Sequence, residues 1–316
     1  MSTKIRRSKW IHRVLSLIIA GTLFGSCGSG GKHYDDTPTG GNVLIVADEC
    51  QQPLLDVELD TFMKLYKYAT VRTDYLPESN VFDRLLHDDS VRIGIVCRDL
   101  TEKEKAYFTA QKIVPRTTKV AVDAVALLLH PQNPDTQLTY SQVSSLVRGE
   151  SVRWPSNRLR DSVKIVFDRN GSSNARLLHE RFVKDGATPK HWYALNSNKA
   201  VIDYVASTPG AMGVVGVNWI SDRHDPEVES FLNKVKIAEI SLPEDSAGSD
   251  FYGPYQAYIA LKKYPLTRDV YVISREGRNG LGTGFASFLA GDQGQRLVRM
   301  CGLLPATMPV RIINIR

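Results

Sequence analysis

The chain has 316 residues, of which 42% are hydrophobic and 9% are aromatic. This length can bury a substantial core and suits two domains or lobes better than one. The formal net charge is +6, but residues 1–26 contain five basic residues and no acidic residue, which leaves +1 for the remainder. The sequence therefore lacks the broad basic surface of a nucleic-acid-binding protein, and we expect no nucleic acid among its partners.

The N-terminal segment has the pattern of an export signal. A cationic start is followed by the apolar residues 14–20 and by Gly-Ser-Cys at 25–27, which is the order of charged, apolar and small residues in signal peptides. The apolar part is shorter than the roughly 20 residues of a membrane-spanning helix. The Gly-Ser-Cys ending resembles the lipobox of bacterial lipoproteins, in which the cysteine carries the lipid. We predict a lipoprotein signal peptide at 1–26, a lipid anchor at Cys27 and a flexible tether at 27–41.

This N-terminus predicts that the chain is exported and lipid-anchored to a bacterial membrane, on the periplasmic side or at the cell surface. An ordinary secretory signal followed by a chance cysteine is the alternative.

From residue 42 onward, the hydrophobic pattern alternates between strands and helices. Short β-branched runs predict buried strands, and apolar residues at three- and four-residue spacing predict helices. The order strand–helix–strand–helix indicates βαβ units with a parallel sheet. The apolar run at 120–129 is long for one strand, so a helix is the alternative there, and residues 222–250 are predicted to be irregular. Strands are predicted at 42–47, 69–75, 91–96, 120–129, 163–167, 213–217 and 264–274, and helices are predicted in most of the intervening segments and toward residue 300.

Residues 168–174, Asp-Arg-Asn-Gly-Ser-Ser-Asn, stand between a predicted strand and a predicted helix. A turn at Asn170 and Gly171 leads to Ser172 or Ser173, either of which can cap the helix. The start of a helix exposes unpaired N–H groups and a partial positive charge. Hydroxyl groups, an amide and a guanidinium at this point therefore predict an anion-binding site. Plain N-capping without any ligand is the alternative.

The same seven residues resemble the Arg-x-x-Gly-Ser-Gly-Thr helix start of the phosphate-binding components of ABC phosphate importers. This family has the α/β, two-lobed periplasmic-binding-protein fold, in which each lobe is a mixed or parallel sheet flanked by helices and two crossover strands form the hinge. The resemblance implies that residues 42–122 and 268–316 form lobe 1 and that residues 123–267 form lobe 2. Further segments resemble the family in the same order along the chain: VADECQQPLLDVELDTF, VRIGIVCRDLTEKE, AVALLLHPQNPDTQLTYSQVSSLVRGESVRW, TPGAMGVVGVNWISD, YPLTRDVYVIS and FASFLAGDQGQRLVRMCGLLPA.

The resemblance also implies a ligand cleft that both lobes line, although this chain departs from the family pattern. Asp168 stands where the family has its arginine, and Asp48 and Glu49 stand where it has small hydroxyl residues. Two acids close to a phosphate repel it. The implied ligand-binding residues are Glu49, Cys50, Cys97 and Arg98 in lobe 1, and Asp168, Arg169, Ser172, Ser173 and Asn174 in lobe 2.

These departures leave two possibilities for the ligand. Either Arg98 and Arg169 compensate for the acids, since arginine binds oxyanions in a bidentate manner, or the ligand is not inorganic phosphate. A surface ion pair with an acid is the alternative role for Arg98. A solvated loop position is the alternative for Glu49 and Glu78.

Signals for catalysis, metals and cofactors are weak in this sequence. There is no Gly-x-Ser-x-Gly elbow, and the seven histidines show no metal-ligand spacing. The glycine-rich stretch 280–284 lacks the spacing of a nucleotide loop and is predicted to be a flexible return between a strand and a helix. We therefore expect no enzyme, no metal site and no cofactor; a hydrolase would need a histidine beside Cys50 or Ser172. Cys50, Cys97 and Cys301 are expected to be buried thiols, and a disulfide between two of them is left open.

Together these features predict an extracytoplasmic solute-binding lipoprotein that captures phosphate or a related small oxyanion between two lobes for ABC-type uptake. The expected partners are the oxyanion, ABC permease subunits and the membrane, reached through the N-terminal lipid, and we expect a monomer. The alternative is a surface lipoprotein that acts as a sensor or interaction module with the same fold and a degenerate ligand cleft. The acids Asp48 and Glu49 favour this alternative.

Overall fold

The structure is a computed structural model that describes residues 36–184, 186–221 and 226–308, all within the compact unit Asp36–Arg316. The predicted signal peptide, the proposed anchor Cys27 and the tether up to residue 35 lie outside the described residues. Each helix that the structure describes is too short or too polar to cross a membrane.

Twelve strands are described. They are β1 (Gly40–Asp48), β2 (Tyr68–Leu76), β3 (Val91–Val96), β4 (Arg116–Leu129), β5 (Gln137–Leu138), β6 (Lys164–Phe167), β7 (Trp192–Ala194), β8 (Ala211–Gly216), β9 (Lys236–Ile237), β10 (Glu239–Ile240), β11 (Thr267–Ser274) and β12 (Leu304–Pro305).

The α-helices within the described residues alternate with these strands along much of the chain. Capping boxes start two of them, at Thr101 and Thr139, where each threonine side chain accepts a backbone N–H three residues further on. The helices are α1 (Gln52–Leu65), α2 (Glu78–His87), α3 (Glu102–Ala110), α4 (Tyr140–Arg148), α5 (Ser173–Leu178), α6 (Asn198–Ser207), α7 (Pro226–Lys234), α8 (Gln256–Ala260), α9 (Leu281–Ala290) and α10 (Asp292–Met300).

The main sheet consists of two halves that share one long strand. In the first sheet half the strand order is β2-β1-β3-β11-β4, with β1 parallel to β2 and β3 and with β11 antiparallel to β3 and β4. In the second sheet half the order is β4-β8-β6-β7, with β8 antiparallel to β4 and β6 parallel to both of its neighbours. The predicted mixed sheets flanked by helices are confirmed.

Strand β4 connects the two sheet halves. Its residues 116–124 pair with β11, and its residues 125–129 pair with β8. Residues 123–129 are all buried, which is typical of strands that are covered on both faces. The apolar run at 120–129 is therefore a strand, and the helical alternative is wrong.

Helices cover both faces of the first sheet half, because alternate residues of β1 point to opposite sides. Ile45 and Ala47 belong to the main core, which includes apolar residues of α1 and α9. Val46 belongs to a smaller core with residues of α2 and α3. Since β1 and β3 are parallel neighbours, the loops that follow them meet at one edge of the sheet.

Two local predictions are wrong. Residues 222–250 were expected to be irregular, but they contain α7, β9 and β10. The stretch 280–284 was expected to be a flexible return, but α9 begins at Leu281 and includes the last four of these residues. Gly284 lies so close to the carbonyl of Pro38 that a Cβ would not fit. The glycines in this stretch thus allow close helix packing.

Candidate functional site

The loop after β1 is held in place by its own acid. Asp48 Oδ1 accepts a hydrogen bond from the N–H of Cys50 at 3.2 Å, and this contact starts the short 3-10 helix Glu49–Gln51. Pro53 follows in the first turn of α1, where the missing N–H costs no helical hydrogen bond. All residues of this loop are buried. The loop therefore directs the Cys50 thiol into the interior.

The loop after β3 places a second thiol beside the first. The Cys97 N–H donates to Oε1 of Glu78 at 2.7 Å. Glu78 is only 2% exposed, so the alternative of a solvated loop position is wrong for it. The sulfurs of Cys50 and Cys97 lie 3.7 Å apart, and Gln51 Nε2 donates to both at 3.4 Å. Cys50, Cys97 and Cys301 are all buried, as expected, and within the described residues none of them forms a disulfide.

Helix α5 follows β6, a strand of the second sheet half. Ser172 caps this helix, because its Oγ accepts the Ala175 N–H at 3.3 Å. Gly171 has a φ of +75°, a backbone conformation that glycine adopts without strain. The carbonyl of Gly171 accepts the N–H of Ser79 at 3.0 Å, and a Cβ on Gly171 would clash with the Ser79 side chain. The capping prediction for Ser172 is confirmed, and glycine at 171 permits contact between the two halves.

Ser173 and Asn174 face the interior and are fully buried. Ser173 Oγ lies 3.1 Å from Cys50 Sγ. Asn174 Nδ2 donates to Asp168 Oδ1 at 3.2 Å and to Asn198 Oδ1 at 3.3 Å. The structure thus brings Cys50 and Cys97 together with Ser173, and it places Asn174 and Asp168 behind them. We call Asp48, Cys50, Cys97 and Ser173 the central cluster.

A guanidinium that the sequence analysis did not identify lies beside the central cluster. Arg268, in β11, donates from Nε and Nη2 to Asp123 Oδ2 in β4 at 3.0 and 2.8 Å. Its Nη1 donates to Ser173 Oγ at 2.8 Å, and its Nη2 donates to Cys50 Sγ at 3.2 Å. Gln51 Nε2 also donates to Asp123 Oδ2, at 2.9 Å. Arg268 therefore joins both sheet halves at their centre.

One signal for this pair was present in the sequence. Asp123 is the one charged residue in the apolar run 120–129, and a buried carboxylate requires a partner. Its partner could not be assigned, because Arg268 lies 145 residues further along the chain.

Arg98 and Arg169 take positions outside the central cluster. Arg98 forms a bidentate ion pair with Glu104 at 2.8 and 2.7 Å. Of the two roles considered for Arg98, the ion pair is therefore the one observed. Arg169 Nε donates to Asn196 O at 2.7 Å and lies 3.1 Å from Glu49 Oε2. Glu49 is 4% exposed, so the alternative of a solvated loop position is wrong for it. The compensating positive charge at the centre comes from Arg268.

Buried acids outnumber the guanidiniums that contact them in this region of the described structure. Burial, together with the negative charge of Glu78, raises the pKa of Asp48 to about 7. Burial also raises the pKa of Glu49 and of Asp168. The region is therefore short of positive charge. The buried acids are Asp48, Glu49, Glu78, Asp123 and Asp168, and the guanidiniums are Arg169 at Glu49, Arg176 at Glu78 and Arg268 at Asp123.

A cavity of about 390 Å³ adjoins this region, within the range of small-molecule sites. Ser172 and His179 both line it. The ring Nε2 of His179 bonds to the Gly186 carbonyl at 3.1 Å, and no histidine of the described residues bonds to Cys50 or Ser172. Both sheet halves contribute to the cavity wall, which includes Glu78, Phe82, Arg98, Gly171, Arg176 and Trp192.

Residues 33–293 match the family model of the PBP superfamily domain. The chain belongs to this family. It is 22% identical over 305 residues to the phosphate-binding protein PstS of Bacillus subtilis (strain 168), covering 93% of this chain and 94% of that protein.

Solved structures show the same fold. One, with bound phosphate, is of a Clostridium perfringens protein described as a phosphate ABC transporter substrate-binding protein; its TM-score is 0.69 at 17% identity, covering 84% of this chain and 100% of that one. Another is an ABC-type phosphate transport receptor from Vibrio cholerae, with a TM-score of 0.62 at 19% identity over 84% of this chain and 100% of that one. The two-lobed fold that the sequence predicted is confirmed.

Proposed function

We propose that this PBP-superfamily chain is an extracytoplasmic solute-binding protein that holds a small oxyanion of the phosphate type between its two lobes, for uptake by an ABC transporter. Three matches support this: the family, the relative named as a phosphate-binding protein, and the neighbour with bound phosphate. We assign lobe 1 to residues 42–122 and 268–316 and lobe 2 to residues 123–267, with β4 and β11 as the hinge strands. We assign it no catalytic activity.

The main support for the proposal is the position of the Arg268 guanidinium beside the central cluster. Arg268 is buried and donates to Ser173 Oγ across the junction of the two sheet halves. An oxyanion that entered between Ser173 and the loop of Cys50 would meet this guanidinium and the hydroxyl together. Charge-assisted hydrogen bonds of this kind are the strong ones in oxyanion recognition.

The buried acids determine which oxyanion the site should prefer. Monohydrogen phosphate carries an O–H that can donate to a carboxylate such as Asp48 or Asp168, whereas sulfate has no proton at neutral pH. A carboxylate that receives no such hydrogen bond repels the anion. We therefore expect the site to prefer inorganic phosphate to sulfate.

Isothermal titration of the full chain with phosphate, sulfate and short phosphate monoesters tests the proposal. We expect heat with phosphate or a monoester and little with sulfate. Ser173→Ala removes the hydroxyl that Arg268 contacts and should weaken binding at least about tenfold. Ser207→Ala is the matched control, because Ser207 Oγ bonds only to carbonyls of its own helix. Absence of heat with every anion would contradict the proposal.

The second candidate is a sensor or interaction module with a degenerate cleft. It is favoured by the way this chain's own side chains fill the centre: Arg268 already pairs with Asp123 at 2.8 Å, and Ser173 already contacts Cys50 at 3.1 Å. A titration without heat for any anion would support this candidate.

We also propose that Cys27 carries a lipid and that the chain is anchored to a membrane outside the cytoplasm. The Gly-Ser-Cys pattern after the apolar segment supports this. Mass spectrometry of the mature N-terminus should show an acylated cysteine as the first residue. The Cys27→Ala variant should retain its signal peptide or leave the membrane fraction; an unmodified Cys27 in membrane-bound protein would contradict the anchor.

A further inference from the structure

We propose that Asp48, Cys50 and Cys97 form a binding site for a thiophilic divalent cation of the Zn²⁺ type. All three side chains are buried, and one potential ligand atom from each lies within 4.8 Å of the other two. Sulfur and carboxylate ligands together suit zinc, which takes both in tetrahedral sites. Three protein ligands leave a fourth position for water or a small ligand.

The spacing of the two sulfurs agrees with a tetrahedral site. Cys50 Sγ and Cys97 Sγ are 3.7 Å apart. Two thiolates bound at about 2.3 Å to one tetrahedral zinc ion lie about 3.8 Å from each other. The cation therefore fits between the sulfurs without separating the two loops.

Two buried oxygens beside the sulfurs have no partner among the described residues. They are Oδ2 of Asp48 and Oε1 of Gln51. A buried polar atom that makes no hydrogen bond is costly. A cation at the cluster would give Oδ2 of Asp48 a partner. The unpartnered oxygen is an observation independent of the spacing of the two sulfurs.

The charges around the cluster also favour a cation. Five buried acids surround the region, and three guanidiniums contact them. The sulfur of Cys50 already receives N–H groups from Arg268 Nη2 at 3.2 Å and from Gln51 Nε2 at 3.4 Å, and such donors stabilise a thiolate.

A coordinated cation deprotonates the thiols that bind it. Each of the two cysteines, when it binds Zn²⁺ as a thiolate, gives its proton to the solvent.

No metal site was expected, because the histidines show no metal-ligand spacing. The proposed site uses two cysteines instead, and they come from loops 47 residues apart in the sequence. The proposal does not depend on oxyanion binding. Zinc binding and the heat of phosphate binding are measured separately, and either result can be negative while the other is positive.

The test uses the full chain with a Cys27→Ala substitution, so that the N-terminal thiol cannot contribute. The protein is reduced, stripped with a chelator and titrated with Zn²⁺ alone and with Co²⁺ alone. We expect one Zn²⁺ per chain by elemental analysis and a thiolate-to-cobalt charge-transfer band in the near ultraviolet. Zinc should also raise the melting temperature, since a ligand that binds only the folded state stabilises it.

Variants locate the site. Cys50→Ala and Cys97→Ala should each lower zinc affinity on the order of a hundredfold, because each removes one of three ligands. Asp48→Asn should weaken binding and retain the thiolate band. Cys301→Ala is the matched control, a buried thiol that lies outside the cluster, and it should bind zinc like the parent.

Failure of the parent protein to bind zinc stoichiometrically, or a cobalt spectrum without a thiolate band, would overturn the proposal without the need for any variant. A thiolate band that survives both Cys50→Ala and Cys97→Ala, or that disappears only in Cys301→Ala, would also overturn it.

Discussion

Two arginine–carboxylate pairs near the site differ in their surroundings. The side chains of Arg268 and Asp123 are 2% and 0% exposed, whereas those of Arg98 and Glu104 are 25% and 15% exposed. Arg98 also stacks on the Phe82 ring at 3.5 Å. The exposed pair stabilises the start of a helix, and the buried pair forms the centre of the candidate site. An arginine that follows a strand beside a helix start is therefore a weaker indicator of a site than one opposite a buried acid.

The largest expected effect comes from breaking the buried pair. Arg268→Met leaves the Asp123 carboxylate buried without its guanidinium, and it should reduce the free energy of unfolding by about 3 to 5 kcal/mol. Arg98→Met should cost about 1 kcal/mol or less, because its pair is partly solvated. Urea unfolding of both variants at neutral pH measures the difference.

The double variant Asp123→Asn/Arg268→Gln controls for the unpaired charge. It removes both charges and keeps similar side-chain volumes, so it should recover much of the lost stability. Equal costs for Arg268→Met and Arg98→Met would show that the contrast between the two pairs is wrong.

Glu58 is a third case, a buried acid that pairs with no guanidinium of the described residues. Neither of its carboxylate oxygens has a partner among the described residues, and burial raises the pKa of Glu58 from 4.5 to about 9. The folded state therefore binds more protons than the unfolded state between these values, and stability falls as the pH rises through that window.

Glu58→Gln should consequently stabilise the protein at pH 7.5, by about 2 to 4 kcal/mol, and have little effect near pH 4.5. Denaturant unfolding at several pH values measures this. A variant whose stability follows the same pH dependence as the parent would show that Glu58 is not responsible.

An intermediate effect is expected at Gly171, where the two sheet halves touch. Its φ of +75° disfavours a side chain, and a Cβ would press on Ser79. Gly171→Ala should cost roughly 1 to 2 kcal/mol. Gly277→Ala is the control, because a Cβ there meets nothing within 4 Å. Equal melting temperatures for the two variants would argue against a tight contact at this point.

The smallest effect is expected at the exposed pair. Although burial acts in the opposite direction, hydrogen bonds from Arg98 and from the Thr101 N–H lower the pKa of Glu104. The carboxylate therefore adds stability above its unfolded pKa, and this contribution is lost as the pH falls. Glu104→Gln should cost about 0.5 to 1 kcal/mol at pH 7 and less at pH 3. Thermal unfolding at both pH values tests this, and a larger cost at pH 3 would be inconsistent with it.

Local patterns sufficed for much of the fold. The β-branched runs predicted β1, β3 and β6, and the capping box that starts α3 joins Thr101 to Glu104, because each depends on neighbours in the chain. The irregular region at 222–250 was predicted wrongly, since β9 and β10 are two-residue strands. Strands this short depend on pairing partners elsewhere in the chain, which periodicity does not reveal.

The candidate site could be predicted only in part. The cap at Ser172 and the burial of Cys50 follow from sequence, but the contact of Ser173 with Cys50 spans 123 residues. The ligand role of Arg98 was implied by the family resemblance and by the bidentate binding of oxyanions by arginine, and pairing with an acid at the surface was the alternative.

The amino-acid sequence alone was sufficient for most of the strands and helices, because hydrophobic periodicity, capping and turn residues act over a few positions, and its motifs resembled those of the family to which the chain belongs. Which charges are paired could be known only from the three-dimensional arrangement. Whether a carboxylate or thiol is buried, and which guanidinium it meets, depends on strands far apart in sequence. The free energy of a charge depends on that distant environment more than on its neighbours in the chain.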